Sequence, residues 1–263
     1  MLEFTSGQLT GWVMLLFWPF VRILAFIATA PIFGEISTPR RVKLGLAMLL
    51  TFIIAPTLGD IPNVPPVSIA GVWLVMQQVA IGVALGLTMR LAFGAVQSTG
   101  EFIGMQMGLG FASFYSAALG ANTMVLGQLL NTFAMLLFLA FNGHLVLIHI
   151  LAETFRLLPI GDSMLHAEGW QLAAQTGAIV FTAGISLALP LIATLLTINM
   201  AMGILNRASP QLSIFSIGFP MTLLAGLTVL TFLIPGLGDA LHQLFDTLFN
   251  RTLEIANALA GGN

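Results

Sequence analysis

The groups in this chain that could move protons or hold a metal are four histidines and ten acidic side chains, and their spacing argues against both roles. His144 and His149 lie five positions apart, so they do not share a helix face as ligands at i and i+4 would, and no HExxH occurs. His149 and Glu153 do have i, i+4 spacing, but at the end of an apolar run that pair reads as a capping or interfacial contact. His166 and Glu168 sit among small and polar residues and read as solvated. There is neither a Gly-rich phosphate loop nor a GxSxG elbow, and the carboxylates are too scattered for an acid–base pair. Cysteine is absent, which removes disulfides, thiolate nucleophiles and Cys-held metals together. Catalysis is the weakest class of function, and no cofactor or metal is expected.

Two apolar stretches carry a different chemistry. Residues 104–127, GMQMGLGFASFYSAALGANTMVLG, are free of charge and interrupted by Gly104, Gly108, Gly110, Gly120 and Gly127. Glycine frees the backbone to leave helical geometry, and Met105, Met107 and Met124 supply soft, adaptable thioethers. Phe111, Phe114 and Tyr115 can form one bulky apolar wedge, of the kind that stops water and ions by dewetting. The plainer alternative is a buried re-entrant loop that only packs. Gly100, Gly104 and Gly108 repeat every four residues, as Gly82 and Gly86 do, a spacing that lets another backbone approach closely. In the second stretch, Leu191–Pro220, the polar turn Asn206, Arg207, Ala208, Ser209 and Pro210 separates two apolar arms and predicts a helical hairpin. Arg207, the only formal charge between Glu168 and Asp239, sits at its tip. It serves either as positive-inside anchoring or as an ion pair with a neighbouring subunit.

The elements that must position these stretches follow from composition and charge gaps. Of 263 residues, 58% are apolar and 7% charged, with mean hydropathy +1.01. Soluble domains carry about 25% charged residues, so this is a membrane protein with lipid or apolar protein as its main solvent. A net charge of −2 offers no basic field for nucleic acid. The charge-free gaps predict six apolar segments, at about 9–33, 42–58, 67–94, 126–158, 170–205 and 213–234. Their length and lack of period-two alternation predict an all-α fold. Pro235, Gly236 and Gly238 are expected to end the sixth segment. Asp239 would then cap an amphipathic helix with Leu241, Leu244, Phe245, Leu248, Phe249, Ile255 and Leu259 on one face. No basic region precedes the first apolar run, so no cleaved signal peptide is expected. Arg40, Arg41 and Lys43 place their loop in the cytoplasm, and counting crossings puts Arg90 and Arg207 inside and Arg156 outside. Arg22, Pro19, Pro56, Pro190, Pro220, Gln77, Gln78, Gln128, Asn131 and Asn199 suit these segments poorly to lipid, which favours an obligate assembly that covers them.

RILAFIATAPIFG (Arg22–Gly34), PRRVKLGLA (Pro39–Ala47), GEFIGMQMGLGFASFYS (Gly100–Ser116) and NMAMGILNRASPQLSIFSIGFP (Asn199–Pro220) together resemble the flagellar biosynthetic protein R family, a core component of the flagellar type III export gate. The resemblance covers about 9–250. It implies an all-helical subunit, present once per gate beside several copies of the related P and Q proteins. Residues 1–165 would resemble the P protein and include the plug segment 104–127; residues 166–263 would form a Q-like hairpin plus the amphipathic helix. Together the three proteins would make a helical pore in the bacterial inner membrane, at the flagellar basal body, partly raised out of the bilayer plane. It would conduct unfolded flagellar proteins. Phe111, Phe114 and Tyr115 would then be plug-tip residues, with Met105 and Met107 near a gasket supplied by the P protein. Asn206, Arg207 and Pro210 would mark the cytoplasmic entrance near the export switch, flagellar biosynthetic protein B, with flagellar biosynthetic protein A a further partner. The rivals are the equivalent component of a virulence injectisome and, from a different class, a small-solute secondary transporter. Transporters carry coupling-ion carboxylates within their helices and repeat symmetry; the long apolar cores here lack acidic residues.

Overall fold

Apolar runs without alternation fold as helices throughout, and no strand occurs among the described residues. The computed structural model describes residues 6–59, 61–62, 64–110, 125–161, 165–208 and 218–262. Its helices are α1 (Ser6–Thr29), α2 (Arg40–Ile54), α3 (Ile69–Gln106), α4 (Val125–Ala140), α5 (Gly143–Leu157), α6 (Ala167–Thr176), α7 (Ile179–Ala208) and α8 (Phe219–Ala260), with a 3-10 turn at Ala55–Thr57.

The element boundaries depart from the sequence-based segments in three places. The 126–158 segment is two helices, because Asn142 adopts a left-handed φ of 56° and starts α5 at Gly143. An Asn-Gly dipeptide favours that conformation even inside an apolar run. The 67–94 segment continues through Arg90 and Glu101 to Gln106 as one helix of 38 residues. The expected stop at Pro235, Gly236 and Gly238, with Asp239 as a cap, does not occur: α8 runs for 42 residues with Pro235 inside it. Proline removes one hydrogen bond, whereas ending a helix there would leave up to four carbonyls and four N–H groups without partners in apolar surroundings. Pro19 and Pro190 likewise lie inside α1 and α7. The amphipathic pattern survives within α8: Leu241, Leu244, Phe245, Leu248, Ile255 and Leu259 are buried, while His242, Asp246, Asn250, Glu254 and Asn257 are exposed.

By length and composition, three helices are able to cross a membrane: Ile69–Gln106, Ala167–Ala208 taken through its short break, and Phe219–Ala260. The α4–α5 pair makes a fourth if counted as one broken span. At 15 residues, α2 is too short to cross a hydrocarbon core that needs about 20. The crossing count drawn from the charges therefore does not carry over.

The chain divides into two compact units interleaved along the sequence. The first contains the residues up to Leu91, Asn142–Gly177 and those from Asp246 onward. Its centre is Arg22, fully buried on α1. Arg22 Nε donates to Gln78 Oε1 of α3 at 2.8 Å. Its terminal nitrogens donate to the carbonyls of Thr154 at 2.9 Å and Leu158 at 2.8 Å. Those carbonyls belong to the C-terminal end of α5, where the helix dipole is negative. The Phe155 ring lies 4.3 Å from the guanidinium carbon and adds a cation–π contact. The sequence suggested that neighbouring subunits would have to accommodate Arg22 and Gln78; the chain itself supplies partners for Arg22 and for the Gln78 side-chain oxygen.

Close approach of α1 and α3 brings the guanidinium within reach. A Cβ on Gly82 would lie 2.5 Å from Arg22 O and 2.9 Å from Phe26 N, and one on Gly86 would collide with Thr29 Oγ1. In the same unit, α6 is tied to the end of α8: His166 N donates to Leu259 O at 3.1 Å, and Gly169 leaves room for Leu259.

The second unit contains Ala92–Phe141 and Ala178–Phe245. Phe93 of α3, Phe138 of α4 and Phe245 of α8 form a three-ring cluster with centroid separations of 5.2–5.7 Å, two of the three pairs edge-to-face. Thr99 Oγ1 donates to Gly184 O at 3.1 Å and so joins α3 to α7.

Arg22→Leu leaves Gln78 Oε1 and the Leu158 carbonyl buried without their donor, at about 1–3 kcal/mol each, while the Thr154 carbonyl keeps the N–H of Leu158 at 2.9 Å. We expect a clear fall in the thermal midpoint of the detergent-solubilised protein, with a smaller fall for Arg22→Lys, which keeps the charge but not the fork. Unfolding of Arg22→Leu at the wild-type temperature would refute this account. Gly82→Ala should also destabilise, whereas Gly45→Ala, in open space on α2, should be neutral or stabilise by up to about 1 kcal/mol. Equal shifts for the two would count against backbone contact at Gly82.

Candidate functional site

The candidate site lies at the C-terminal end of α3, where three glycines one turn apart occupy different environments. Gly100 meets α4 backbone to backbone: a Cβ there would overlap Gly127 Cα and lie 2.8 Å from Leu126 O. Gly104 is buried, and its carbonyl accepts the N–H of Leu109 at 2.9 Å. Gly108 has a φ of 83°, and its N–H reaches Met105 O at 3.1 Å. These two bonds around a left-handed glycine form a Schellman motif, which stops the helix and satisfies its last carbonyls. Leu109 and Gly110 follow, and residues 111–124 lie outside the described residues, so Phe111, Phe114 and Tyr115 have no described position.

The two methionines of this segment part company. Met107 is fully buried, its side chain filling the space that a Cβ on Gly226 of α8 would need, at 2.7–2.9 Å. Thr222 Oγ1 of α8 also approaches Met107 O at 3.3 Å. Met105 is 53% exposed. The adaptable side chain at 107 is therefore a packing element between α3 and α8, and only Met105 presents its thioether outward. This distinction follows from phase around the helix axis, two residues being about 200° apart; the mere presence of methionine did not show it.

Polar groups in the site are few. Gln97 Nε2 donates to Glu101 Oε1 at 3.0 Å, one turn apart on α3. Gly127 packs against the stems of both residues. At the other candidate position, Asn206 and Arg207 occupy the last turn of α7, with Asn206 half-buried and Arg207 exposed. A cation there complements the negative end of the helix dipole. Pro210 lies outside the described residues. No group of three or more His, Asp or Glu side chains suited to a metal occurs among the described residues. Glu153 takes Arg156 as its ion-pair partner at 3.5 Å, a pair exposed enough to contribute little.

Sequence reading missed the α3–α7 and α3–α8 contacts through Thr99, Thr222 and Gly226. Their signal is weak: threonines in apolar helices usually bond back to their own backbone, as Thr99 also does to Ala95 O at 2.9 Å.

Met107→Ala should open a cavity and cost about 2–5 kcal/mol, while Met105→Ala should change stability little. Comparable losses of thermal stability in both variants would contradict the placement of these side chains.

The model of the family described as bacterial export proteins, family 1, matches residues 13–248. The flagellar biosynthetic protein FliR of Escherichia coli (strain K12) is 49% identical over 98% of this chain and 99% of its own length. That of Pectobacterium carotovorum subsp. carotovorum is 47% identical over 99% of each. A more distant one, from Bacillus subtilis (strain 168), is 29% identical over 77% of this chain and 79% of its own length. Matches of this extent take in α3, its glycine-ended C-terminus and the α7 tip alike, and the chain belongs to bacterial export protein family 1 and, within it, to the flagellar biosynthetic protein R family.

Proposed function

We propose that this chain is a non-enzymatic component of the flagellar type III protein export gate in the bacterial inner membrane. With the P and Q proteins it forms a pore for unfolded flagellar proteins, and the segment 104–127 is an apolar plug that seals it. The observation that carries this reading is bare apolar surface. The most apolar stretches of Ala167–Ala208 (α6 with α7) and of α8 are only 22% and 17% buried, against 61% in α3. Phe181, Leu189, Leu196, Met200, Ile204, Leu224 and Phe232 are exposed along these helices. Exposed Asn199 lies in the same apolar helix, a poor fit to lipid and a good one to a polar partner. In an export-family chain, such helices call for sibling subunits. The division into a P-like part (1–165) and a Q-like hairpin (166–263) belongs to this reading, as do the flagellar biosynthetic proteins A and B as neighbours at the Asn206–Pro210 tip.

A glycine-ended helix leading into a charge-free, aromatic segment suits a pliable stopper. The left-handed turn at Gly108 breaks helical direction immediately before Phe111, and Met105 stands exposed beside it. An apolar constriction excludes ions without fixed charge and yields to an entering chain.

Isolation of the tagged chain from native membranes in mild detergent should bring P and Q with it; recovery of a solitary, well-behaved protein would overturn the reading in favour of a transporter. In the reconstituted assembly, replacing Phe111 and Phe114 with alanine should raise ion conductance of the closed state. Unchanged conductance would remove the plug role.

A further inference from the structure

Three cations of the first unit have no acceptor among the described residues, and all three gather at one end of it. The others are answered: Arg22 by Gln78 and the end of α5, Arg156 by Glu153, Arg251 by Glu254, and Lys43, whose Nζ donates to Gly34 O at 3.0 Å. Arg40, Arg41 and Arg90 are exposed and make no ion pair or side-chain hydrogen bond with a described residue. Glycine contacts give their level. A Cβ on Gly82 would meet Arg22 and Phe26, and one on Gly86 would meet Thr29 and Ala30, so α1 and α3 run parallel. Arg90 therefore stands about one turn beyond the level where α1 ends. The Lys43 bond ties the first turn of α2 to the loop that leaves that same end, where Gly34 N donates to Ala30 O at 2.8 Å.

Away from this end the exposed surface is apolar. Both α2 and the 3-10 turn after it pack against α1, so α2 runs back along it. The outer half of α2 presents Val42, Leu44, Met48, Leu49, Phe52 and Ile53, all exposed, with no charge or amide after Lys43. On α3, Trp73, Met76, Ala80, Val83, Leu87 and Arg90 fall in one stripe by helical phase, and none of them is buried. Half-buried Gln77 borders this stripe one turn from Trp73, at its far end. From Trp73 to Arg90 the stripe is about 26 Å long. That is close to the thickness of a hydrocarbon core, about 30 Å, which Trp and Arg side chains flank at the two interfaces.

Charge and dimension together select lipid as the occupant. Cations in the first turn of α2 oppose the helix dipole, and that turn has no acidic residue to offset them, so anions outside the chain are favoured there. A partner helix would draw on polar groups within the apolar band, as Asn199 offers on α7; the exposed band on α2 and the stripe on α3 offer none between their ends. We propose that the exposed faces of α2 and α3 are turned to lipid, with Arg40, Arg41 and Arg90 binding the phosphates of an anionic leaflet and Trp73 at the opposite interface. The arginine stems can lie on apolar surface while their guanidinium groups reach the headgroups. The inference rests on the proposed function only in leaving the bare flanks of α7 and α8 to sibling subunits.

The chain has no cysteine, so a single introduced thiol can carry a fluorophore at a chosen site. The test uses the full-length chain assembled with its native membrane partners in phosphatidylcholine nanodiscs, with a nitroxide quencher on the lipid acyl chains. Labels at Phe52→Cys and Leu87→Cys should lose most of their fluorescence to the quencher, while labels at Leu196→Cys and Phe232→Cys should keep theirs. In mixed nanodiscs, a label at Leu44→Cys should be quenched more by nitroxide-bearing phosphatidylglycerol than by the equivalent phosphatidylcholine. Combining Arg40→Gln, Arg41→Gln and Arg90→Gln should lower that lipid preference by about tenfold or more. All three side chains are exposed, so the thermal midpoint in phosphatidylcholine should hold. Shielding of the labels at 52 and 87 in the assembly would overturn the inference and show a protein partner on these faces. An unchanged preference for phosphatidylglycerol in the triple variant would overturn it too, by removing the headgroup contact. Strong quenching at 196 and 232 in an assembly that keeps its partners would instead overturn the underlying reading of α7 and α8.

Discussion

A guanidinium with no carboxylate opposite it among the described residues organises half of this chain. Arg22 is charged, fully buried and surrounded by neutral acceptors, and what compensates it is the end of a helix. The two carbonyls it binds carry the concentrated negative pole of α5, and Gln78 orients the third side of the fork. Because hydrogen bonds to a charged group are both strong and directional, this arrangement specifies the mutual placement of α1, α3 and α5 more narrowly than apolar packing would. The glycines at 82 and 86 are its necessary complement: only a bare backbone lets α1 come close enough to α3 for the fork to reach Gln78 and α5 together.

The second unit is built by different means. It holds its helices with the ring cluster of Phe93, Phe138 and Phe245, mostly edge-to-face, a backbone contact between Gly100 and Gly127, and Met107 seated on Gly226. These contacts are non-polar and nearly isotropic, so they tolerate small rearrangements that a charged fork would not. The proposed plug departs from this softer unit. α3 ends there at a left-handed glycine, Gly108, which sets the direction in which the chain leaves the helix.

Much of this was legible beforehand, for identifiable reasons. Charge gaps and the absence of alternation show helices directly, and the apolar face of the last helix is written in its spacing. Arg22 was conspicuous as a misfit, but its partners were not: Thr154 and Leu158 contribute carbonyl oxygens, which every residue has, from more than 130 positions away. Proline and glycine misled in one direction at Pro235 and Gly236, where apolar surroundings make a broken helix costlier than a strained one. They were underread in the other at Asn142–Gly143, a turn hidden inside a greasy run. At the candidate site, methionine and glycine types were visible, whereas the phase that buries Met107 and exposes Met105 needed the helix itself.

The bare flanks of α7 and α8 have a consequence for how a cell handles the newly made chain. A copy that inserts without company offers long greasy helices with an uncovered amide at Asn199, the kind of surface that membrane proteases and holding chaperones recognise. Its lifetime would then report on incorporation, and surplus copies would be cleared without any dedicated regulator. Matching output to demand would be a by-product of helix surface.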